Sequence, residues 1–216
     1  KEKKRIHNKK KYTDKFENLE EELSYVINKV AVTSFNKSSD LSRFIDIFKS
    51  RYGLDGNPPK TLEIIGQKYN VTRERVRQIQ KTFERMIRKI DFPFIIFNQC
   101  LETIKDNAPF TEKEINHILK NKKITKIDYD IESLINLSEL FSLTFPKLEK
   151  IKFNKINIFH YQNTYRSINK IVVDIKRCVS RSGVCNINFI KNHRNFYVTD
   201  LSLDIIFSVF KEYQKP

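Results

Sequence analysis

The sequence predicts a mainly α-helical protein, in which a helix-turn-helix domain is followed by winged-helix-like helical modules with a small β-hairpin. Three observations lead to this prediction. Apolar residues recur at helical spacing along most of the 216 residues. A short turn that begins at Asn70 separates two of the helical segments. Farther along, residues 151–158 alternate between apolar and polar side chains on either side of a break, as the strands of a hairpin do.

Two amphipathic helices open the first domain. Apolar side chains share one helical face over residues 14–32 and again over residues 40–52. Ser38 or Ser39 is the expected N-cap of the second helix, because serine side chains accept hydrogen bonds from first-turn amides. Gly53 is expected to end that helix, since glycine adopts the left-handed conformation at little cost.

Two further helices form the predicted helix-turn-helix. Thr61 and Thr72 are their expected N-caps. Asn70 stands where such units usually have a glycine, and asparagine tolerates the left-handed conformation that the tight turn needs. The second helix is predicted to run over residues 73–90 and to end at the proline-containing residues 91–93.

The rest of the chain follows the element order of winged helices. Helices are predicted at 94–106 and 130–143, with a capping box at 111–114 and the hairpin after them. Another helix is predicted at 164–182, and Thr199 is expected to cap the last one. The predicted domains are a basic flexible tail at 1–13, a helix-turn-helix domain at 14–91, a winged-helix-like module at 92–162 and a wing-less or truncated module at 163–216.

The charge of the chain favours a polyanionic partner. Lys and Arg total 41 against 26 Asp and Glu, a formal net charge of +15. Much of the excess lies in residues 60–90, with nine basic and three acidic residues. The tail adds seven basic residues, either as a solubilising segment or as an arm that contacts phosphates. Without a long apolar run or a secretory leader, we expect a cytoplasmic protein with no membrane partner.

The helix predicted at 73–90 has two chemically different faces. One face is apolar, and the opposite face carries cations with a Glu and a Gln near its start. A surface helix with a solvated basic face would also have this composition. The pattern equally suits a major groove, where Arg binds guanine, Gln binds adenine and Glu accepts from cytosine. The residues on this face are Glu74, Arg77, Gln78, Lys81, Arg85 and Arg88.

A more specific indication comes from residues 51–90. The segments RYGLDG, TLEIIG and VTRERVRQI follow one another here, and the core positions of the helix-turn-helix are spaced by four, two, five and three residues. Together they strongly resemble region four of bacterial primary sigma factors, over about residues 14–91. In that family this domain binds the minus-thirty-five element of promoters and docks on the β flap of RNA polymerase.

The resemblance implies a set of DNA-contacting residues. By it, base edges would be contacted by Arg73, Glu74, Arg77 and Gln78, and phosphates by Arg51, Thr61, Leu62, Arg75, Lys81 and Arg85. Gly66 would lie where the two helices pack closely. The position after Glu63 is usually a second Glu in the family but is Ile64 here.

The implied function is that of a bacterial, sequence-specific double-stranded DNA-binding protein acting in transcription initiation or regulation at the nucleoid. Residues 92–216 have no counterpart in region four, so the implied polymerase contact is less direct than the DNA contact. The alternative is a DNA-targeting adaptor subunit of a larger DNA-processing or defence complex, in which residues 92–216 bind protein partners. An acidic segment at 128–143 without Lys or Arg supports that alternative.

No catalytic constellation or cofactor site is evident in the sequence. The three Cys and four His are widely spaced and do not form zinc-ligand pairs. Only four Gly occur, too few for a phosphate-cradling loop. The acidic pair Asp128 and Asp130 lacks the further carboxylate and Lys of a nuclease site. We therefore expect no enzyme activity, no metal and no cofactor.

Overall fold

The computed structural model describes residues 15–35, 40–145, 148–153 and 156–161, and residues 173–183 without 175 and 179. Its elements, in chain order, are α1 Leu19–Phe35, α2 Leu41–Tyr52, α3 Leu62–Tyr69, α4 Arg73–Ile87, α5 Ile96–Asp106, β1 Phe110–Thr111, α6 Glu112–Asn121, α7 Ile131–Leu140, β2 Glu149–Phe153 and β3 Ile156–His160. The described part of 173–182 is also helical. The predicted fold class, mainly helical with a small antiparallel sheet, is confirmed.

The chain divides into two compact units. One unit combines Lys1–Thr103 with Asn116–Phe145, and the other combines Ile104–Ile115 with Pro146–Pro216. The domain boundaries predicted from the sequence remain predictions. The order α5, β1, α6, α7, β2, β3 is the element order expected of a winged helix.

Aromatic side chains form the centre of the first unit. The ring of Phe83 stacks on Phe48 at 4.7 Å and lies 5.4 Å from Phe35. Each comes from a different helix, so this cluster joins α1, α2 and α4. Both Phe48 and Phe83 are fully buried. Burial of a side chain of this size contributes about 1.5–3 kcal/mol, so the cluster holds α4 firmly against the first two helices.

The Glu22 carboxylate on α1 binds the start of α5 within the same unit. The buried side chain of Glu22 accepts hydrogen bonds from the amides of Ile95 and Phe97, both at 2.7 Å. A third bond comes from the amide of Ile96 at 3.2 Å. Since the first amides of a helix have no partner within the helix, Glu22 supplies a remote cap for α5. Burial raises the pKa of this carboxyl, although the three amide bonds favour its charged form.

The small sheet of the second unit is antiparallel in the order β1, β3, β2. The hairpin prediction is confirmed for β2 and β3, whose turn residues lie outside the described residues. The strand β1 was not predicted, because two residues carry no periodic pattern. Its pairing aligns Phe110 with Phe159. The capping box is present: the Thr111 amide donates to Glu114 Oε2 at 2.8 Å, and the Glu114 amide donates to Thr111 Oγ1 at 3.3 Å.

Several predicted helix ends differ from the observed ones. The prediction that the helix at 73–90 continues to residue 90 is wrong: α4 ends at Ile87. The amides of Lys89 and Ile90 donate three residues back, to Met86 and Ile87, which tightens the chain beyond α4. The residue that precedes α2 is Asp40, and its side chain forms no cap hydrogen bond. Ser38, Ser39, the tail at 1–13 and the helix after Thr199 lie outside the described residues.

Candidate nucleic-acid interface

The turn between α3 and α4 has the geometry predicted for it. Asn70 is left-handed, with φ 51° and ψ 49°. The amide of Val71 donates to the carbonyl oxygen of Gly66 at 2.9 Å. A Cβ atom at Gly66 would lie 2.7 Å from the carbonyl oxygen of Val71, which is too close for any larger residue without a shift. Gly66 therefore allows the close packing of α3 against the turn. This packing sets the angle between α3 and α4.

Threonine side chains begin both helices, as predicted. The Oγ1 atom of Thr61 accepts from the Ile64 amide at 3.3 Å, and Oγ1 of Thr72 accepts from the Arg75 amide at 3.1 Å. Such caps stabilise a helix by about 1 kcal/mol. The Ile64 side chain, which replaces a Glu of the resembled family, is 51% exposed. The first residues of α4, which follow the Thr72 cap, are exposed.

The helix α4 has one buried and one solvent-facing side. Its buried residues are Val76, Ile79, Phe83 and Ile87. The opposite side carries the charged and amide side chains that the sequence predicted there. Arg77 is half-buried, and the exposed residues are Arg73, Glu74, Arg75, Gln78, Lys81, Arg85 and Arg88. This exposed side of α4, from Arg73 to Arg85, is called the basic face below.

Ion pairs organise the beginning of the basic face. The guanidinium of Arg77 donates to both oxygens of Glu74, at 2.6 and 2.7 Å. This bidentate bond holds the pKa of Glu74 below its usual range, so the carboxylate is a hydrogen-bond acceptor at neutral pH. Arg73 pairs with Glu63 of α3 at 2.8 Å but remains 70% exposed. Since an exposed pair contributes little to stability, the Arg73 guanidinium can exchange Glu63 for contacts with a ligand.

Two neighbouring side chains are held by weaker contacts. The guanidinium of Arg75 lies 5.4 Å from the ring centre of Phe44, within the range of a cation–π interaction. Its Nη1 atom is 3.5 Å from Oε1 of Gln78. The amide nitrogen of Gln78 in turn donates to Glu74 at 3.4 Å. Three of the four side chains expected to contact bases, Glu74, Arg77 and Gln78, thus form one connected group with Arg75 at its edge, while Arg73 pairs with Glu63.

Arg51 has a structural environment that the sequence did not reveal. Its guanidinium donates to the carbonyl oxygen of Lys60 at 3.1 Å and to Oε1 of Gln80 at 3.2 Å. Gln80 and the hydroxyl of Tyr52 both donate to Glu84 at 2.7 Å. Burial, together with the nearby Glu84 carboxylate, raises the pKa of Tyr52 strongly. This network ties the end of α2 to the middle of α4 and to the residue that precedes Thr61, and the phosphate contact of Arg51 remains a prediction.

The remaining residues predicted to contact phosphate lie on the basic face or at the start of α3. Lys81 and Arg85 are exposed, and neither forms an ion pair with any residue that the structure describes. The amides of Thr61 and Leu62 lie at the N-terminus of α3, where the helix dipole is positive. These groups lie on the elements that carry the basic face or precede it. Their contacts with phosphate remain predictions as well.

The described residues contain no group of three or more His, Cys, Asp or Glu placed to hold a metal ion. Burial raises the pKa of the Cys100 thiol to about 12, so it is not a nucleophile at neutral pH. Within the same residues, no helix is both long and apolar enough to cross a membrane.

The comparisons with known proteins concern the same segment. Residues 43–88 match the family model described as Sigma-70, region 4. The chain is 56% identical over 43 residues to RNA polymerase sigma factor SigA1 of Synechococcus elongatus, which is 20% of this chain and 11% of that protein. It is 45% identical over 42 residues to RNA polymerase sigma factor SigA of Clostridium acetobutylicum, 19% of this chain and 11% of the relative.

The matched region is therefore a small part of each protein. The chain covers about a tenth of the length of the curated relatives that it matches. The resemblance to region four is confirmed for residues 43–88, which contain the basic face, the turn and Arg51. No solved structure matches the chain significantly.

Proposed function

We propose that the chain is a sequence-specific double-stranded DNA-binding protein that acts in transcription initiation or regulation. The observation that carries this proposal is the basic face. It presents the exposed Arg73, Glu74 and Gln78 and the half-buried Arg77 on a helix whose other side is buried. The helix follows a tight turn and lies within a segment that matches Sigma-70, region 4. In a helix-turn-helix, the first residues of the second helix enter the major groove. Arg, Glu and Gln, the residue types at that position here, are ones that can hydrogen-bond base edges.

The bidentate pair between Glu74 and Arg77 supports a defined role for each. In the free protein, Arg77 holds both oxygens of the Glu74 carboxylate. Fixing a flexible side chain before binding reduces the entropy lost on binding. Glu74 is thus presented as an acceptor for the amino group of cytosine or adenine, with Arg77 as its support. Arg73 and Gln78 then supply the bidentate contacts to purines.

Substitutions on the basic face test base recognition. Replacing Arg73 or Gln78 by Ala should cost about 1–3 kcal/mol on a duplex with a minus-thirty-five-like element and reduce the preference over a shuffled duplex. Replacing Lys81 by Ala, the matched control on the same helix, should weaken binding to both duplexes equally and flatten the salt dependence. Fluorescence anisotropy at two salt concentrations measures both effects. Equal losses on both duplexes from all three variants would contradict base recognition by α4.

A second function is favoured by the surface of α7. Its exposed side chains are Glu132, Asn136 and Glu139, and the preceding Asp128 pairs with Lys120. An acidic helix repels phosphates, so this element does not suit a major groove. We therefore retain the alternative of a DNA-targeting adaptor whose residues 92–216 bind a protein subunit. Binding of purified RNA polymerase core to the full chain favours the transcription role, and its absence together with specific DNA binding favours the adaptor.

A further inference from the structure

A short basic loop lies outside the segment that resembles region four. Residues 121–127 connect the end of α6 to the segment before α7. Lys122 and Lys123 are exposed in this loop. Lys123 is left-handed, with φ 57°. The amide of Ile124 donates to the carbonyl of Leu119 at 3.0 Å, and the amide of Lys123 donates to that of Lys120 at 2.9 Å. This is the Schellman arrangement at a helix end, so the loop has a defined shape.

Carboxylates and backbone groups of α1 hold the loop in place. The carbonyl of Ile124 accepts from the Leu19 amide at 2.9 Å. The Oε1 atom of Glu20 accepts from the amides of Lys126 and Ile127, at 2.9 and 3.2 Å. These bonds join the loop to the start of α1 in the same compact unit as the basic face. The loop therefore has a fixed position relative to the helix-turn-helix.

The loop also lies next to the turn that leads into α3. A Cβ atom added at Gly56 would lie 3.4 Å from Cδ1 of Ile127, so the Ile127 side chain is a close neighbour of this turn. Gly56 is five residues before Thr61, and an extended chain advances at most about 3.6 Å per residue. The Thr61 and Leu62 amides, which are expected to bind phosphate, are thus within about 18 and 22 Å of Gly56 along the chain. In a duplex bound at these amides, the phosphate backbone continues in both directions beyond the contact.

The charges around the loop leave a net positive surface. The neighbouring carboxylates are occupied: Asp128 pairs with Lys120 at 2.8 Å, and Glu21 pairs with the Lys126 ammonium at 3.2 Å. Within the described part of the chain, neither Lys122 nor Lys123 forms an ion pair. Two cations outside any described ion pair thus remain at the exposed tip of the loop, against the one carboxylate of Glu20 that is bonded to the loop amides.

We propose that Lys122 and Lys123 form a second phosphate-binding site, which grips the DNA backbone beyond the segment that the helix-turn-helix covers. This inference rests on the proposed DNA-binding function and adds a contact from outside the region-four-like segment. The loop contributes affinity and length of covered duplex, while base recognition stays with α4. The module after residue 92 then contacts DNA through the cations of its loop and not through its acidic helix α7.

The test uses the full chain and a variant that keeps the loop shape. Lys122→Gln with Lys123→Asn removes both charges, and asparagine tolerates the left-handed conformation at position 123. The matched control, Lys29→Gln with Lys105→Gln, removes the same charge from two exposed lysines on α1 and α5. Fluorescence anisotropy over a salt series is measured on a short duplex that spans the minus-thirty-five-like element alone and on one extended by ten base pairs at each end.

We expect the wild type and the control to have a steeper salt dependence on the long duplex, by about 1.8 in the slope of log K against log salt for two phosphate contacts. The loop variant should have the same slope on both duplexes and an unchanged preference over shuffled sequence. If the loop variant keeps the steeper slope on the long duplex, the second phosphate site is refuted while DNA binding stands. If the wild type binds neither duplex, both the proposed function and this inference are refuted.

Discussion

Gly66 offers a direct test of how the helix-turn-helix is built. In the Gly66→Ala variant, the new Cβ would meet the Val71 carbonyl oxygen at 2.7 Å, about 0.7 Å closer than an ordinary contact of 3.4 Å. Overpacking of this kind costs about 1–3 kcal/mol. Because the opposing atom is backbone and cannot rotate away, we expect a cost near the upper end of that range. The better helix propensity of Ala offsets about 1 kcal/mol, which leaves a net loss of about 2 kcal/mol.

The loss should appear in stability and in DNA binding together. For a chain of this size, a loss of about 2 kcal/mol lowers Tm by about 4–8 °C. The shift that relieves the contact also changes the angle between α3 and α4, so affinity for a minus-thirty-five-like duplex should fall. Thermal unfolding followed by circular dichroism and fluorescence anisotropy measure the two effects. Gln67→Ala, at the exposed neighbouring position, is the control and should change stability by no more than about 0.5 kcal/mol.

One result would refute this reasoning. A Gly66→Ala variant with wild-type Tm and wild-type affinity would mean that the turn has room for a methyl group. The close approach of Gly66 to Val71 would then not determine the angle of α4. A lower Tm with unchanged affinity would confirm the contact but separate it from the orientation of the basic face.

Two further predictions concern Asn116 and Glu22, which are buried polar residues of the first compact unit. Asn116→Ala should lower the free energy of unfolding, measured in urea, by about 2–4 kcal/mol. The reason is that the Asn116 side chain bonds both the amide and the carbonyl of Tyr129 at 2.9 Å. A loss below about 1 kcal/mol would contradict this prediction. The pKa of Glu22 is raised above 4.5, so its protonation adds stability below pH 4.5 that is lost as the pH rises through the folded-state pKa. Glu22→Gln should abolish this pH dependence, and an unchanged profile would contradict the assignment.

The helix-turn-helix could be predicted in detail because its determinants are local. Thr61, Thr72 and Asn70 each act within four residues along the chain, through caps and a left-handed turn, and the structure has all three. The side of α4 that faces solvent also follows from helical periodicity alone. The end of α4 was predicted three residues too late, since apolar spacing continues to Ile90 whereas the hydrogen bonds tighten after Ile87.

The contacts of individual site residues were less predictable. The phosphate contact of Arg51 remains a prediction, and in this structure its guanidinium bonds Lys60 and Gln80. Gln80 is 29 residues away in the chain, and no local pattern reveals such a partner. Lys120, Lys122 and Lys123 are close together in the sequence, but the position of their loop depends on the bonds from the amides of Lys126 and Ile127 to Glu20.

Residue types and their spacing were enough to predict the fold class, the caps and turn of the helix-turn-helix, and the composition of the basic face. These depend on interactions within one or two helical turns. The packing of the helices was needed to show which carboxylates are bonded, how Glu22 caps α5 and where the loop at 121–127 lies. The contacts of Glu22 with α5 and of Glu20 with the loop join residues that are 73 to 107 positions apart. They depend on how the helices pack, which local spacing does not encode.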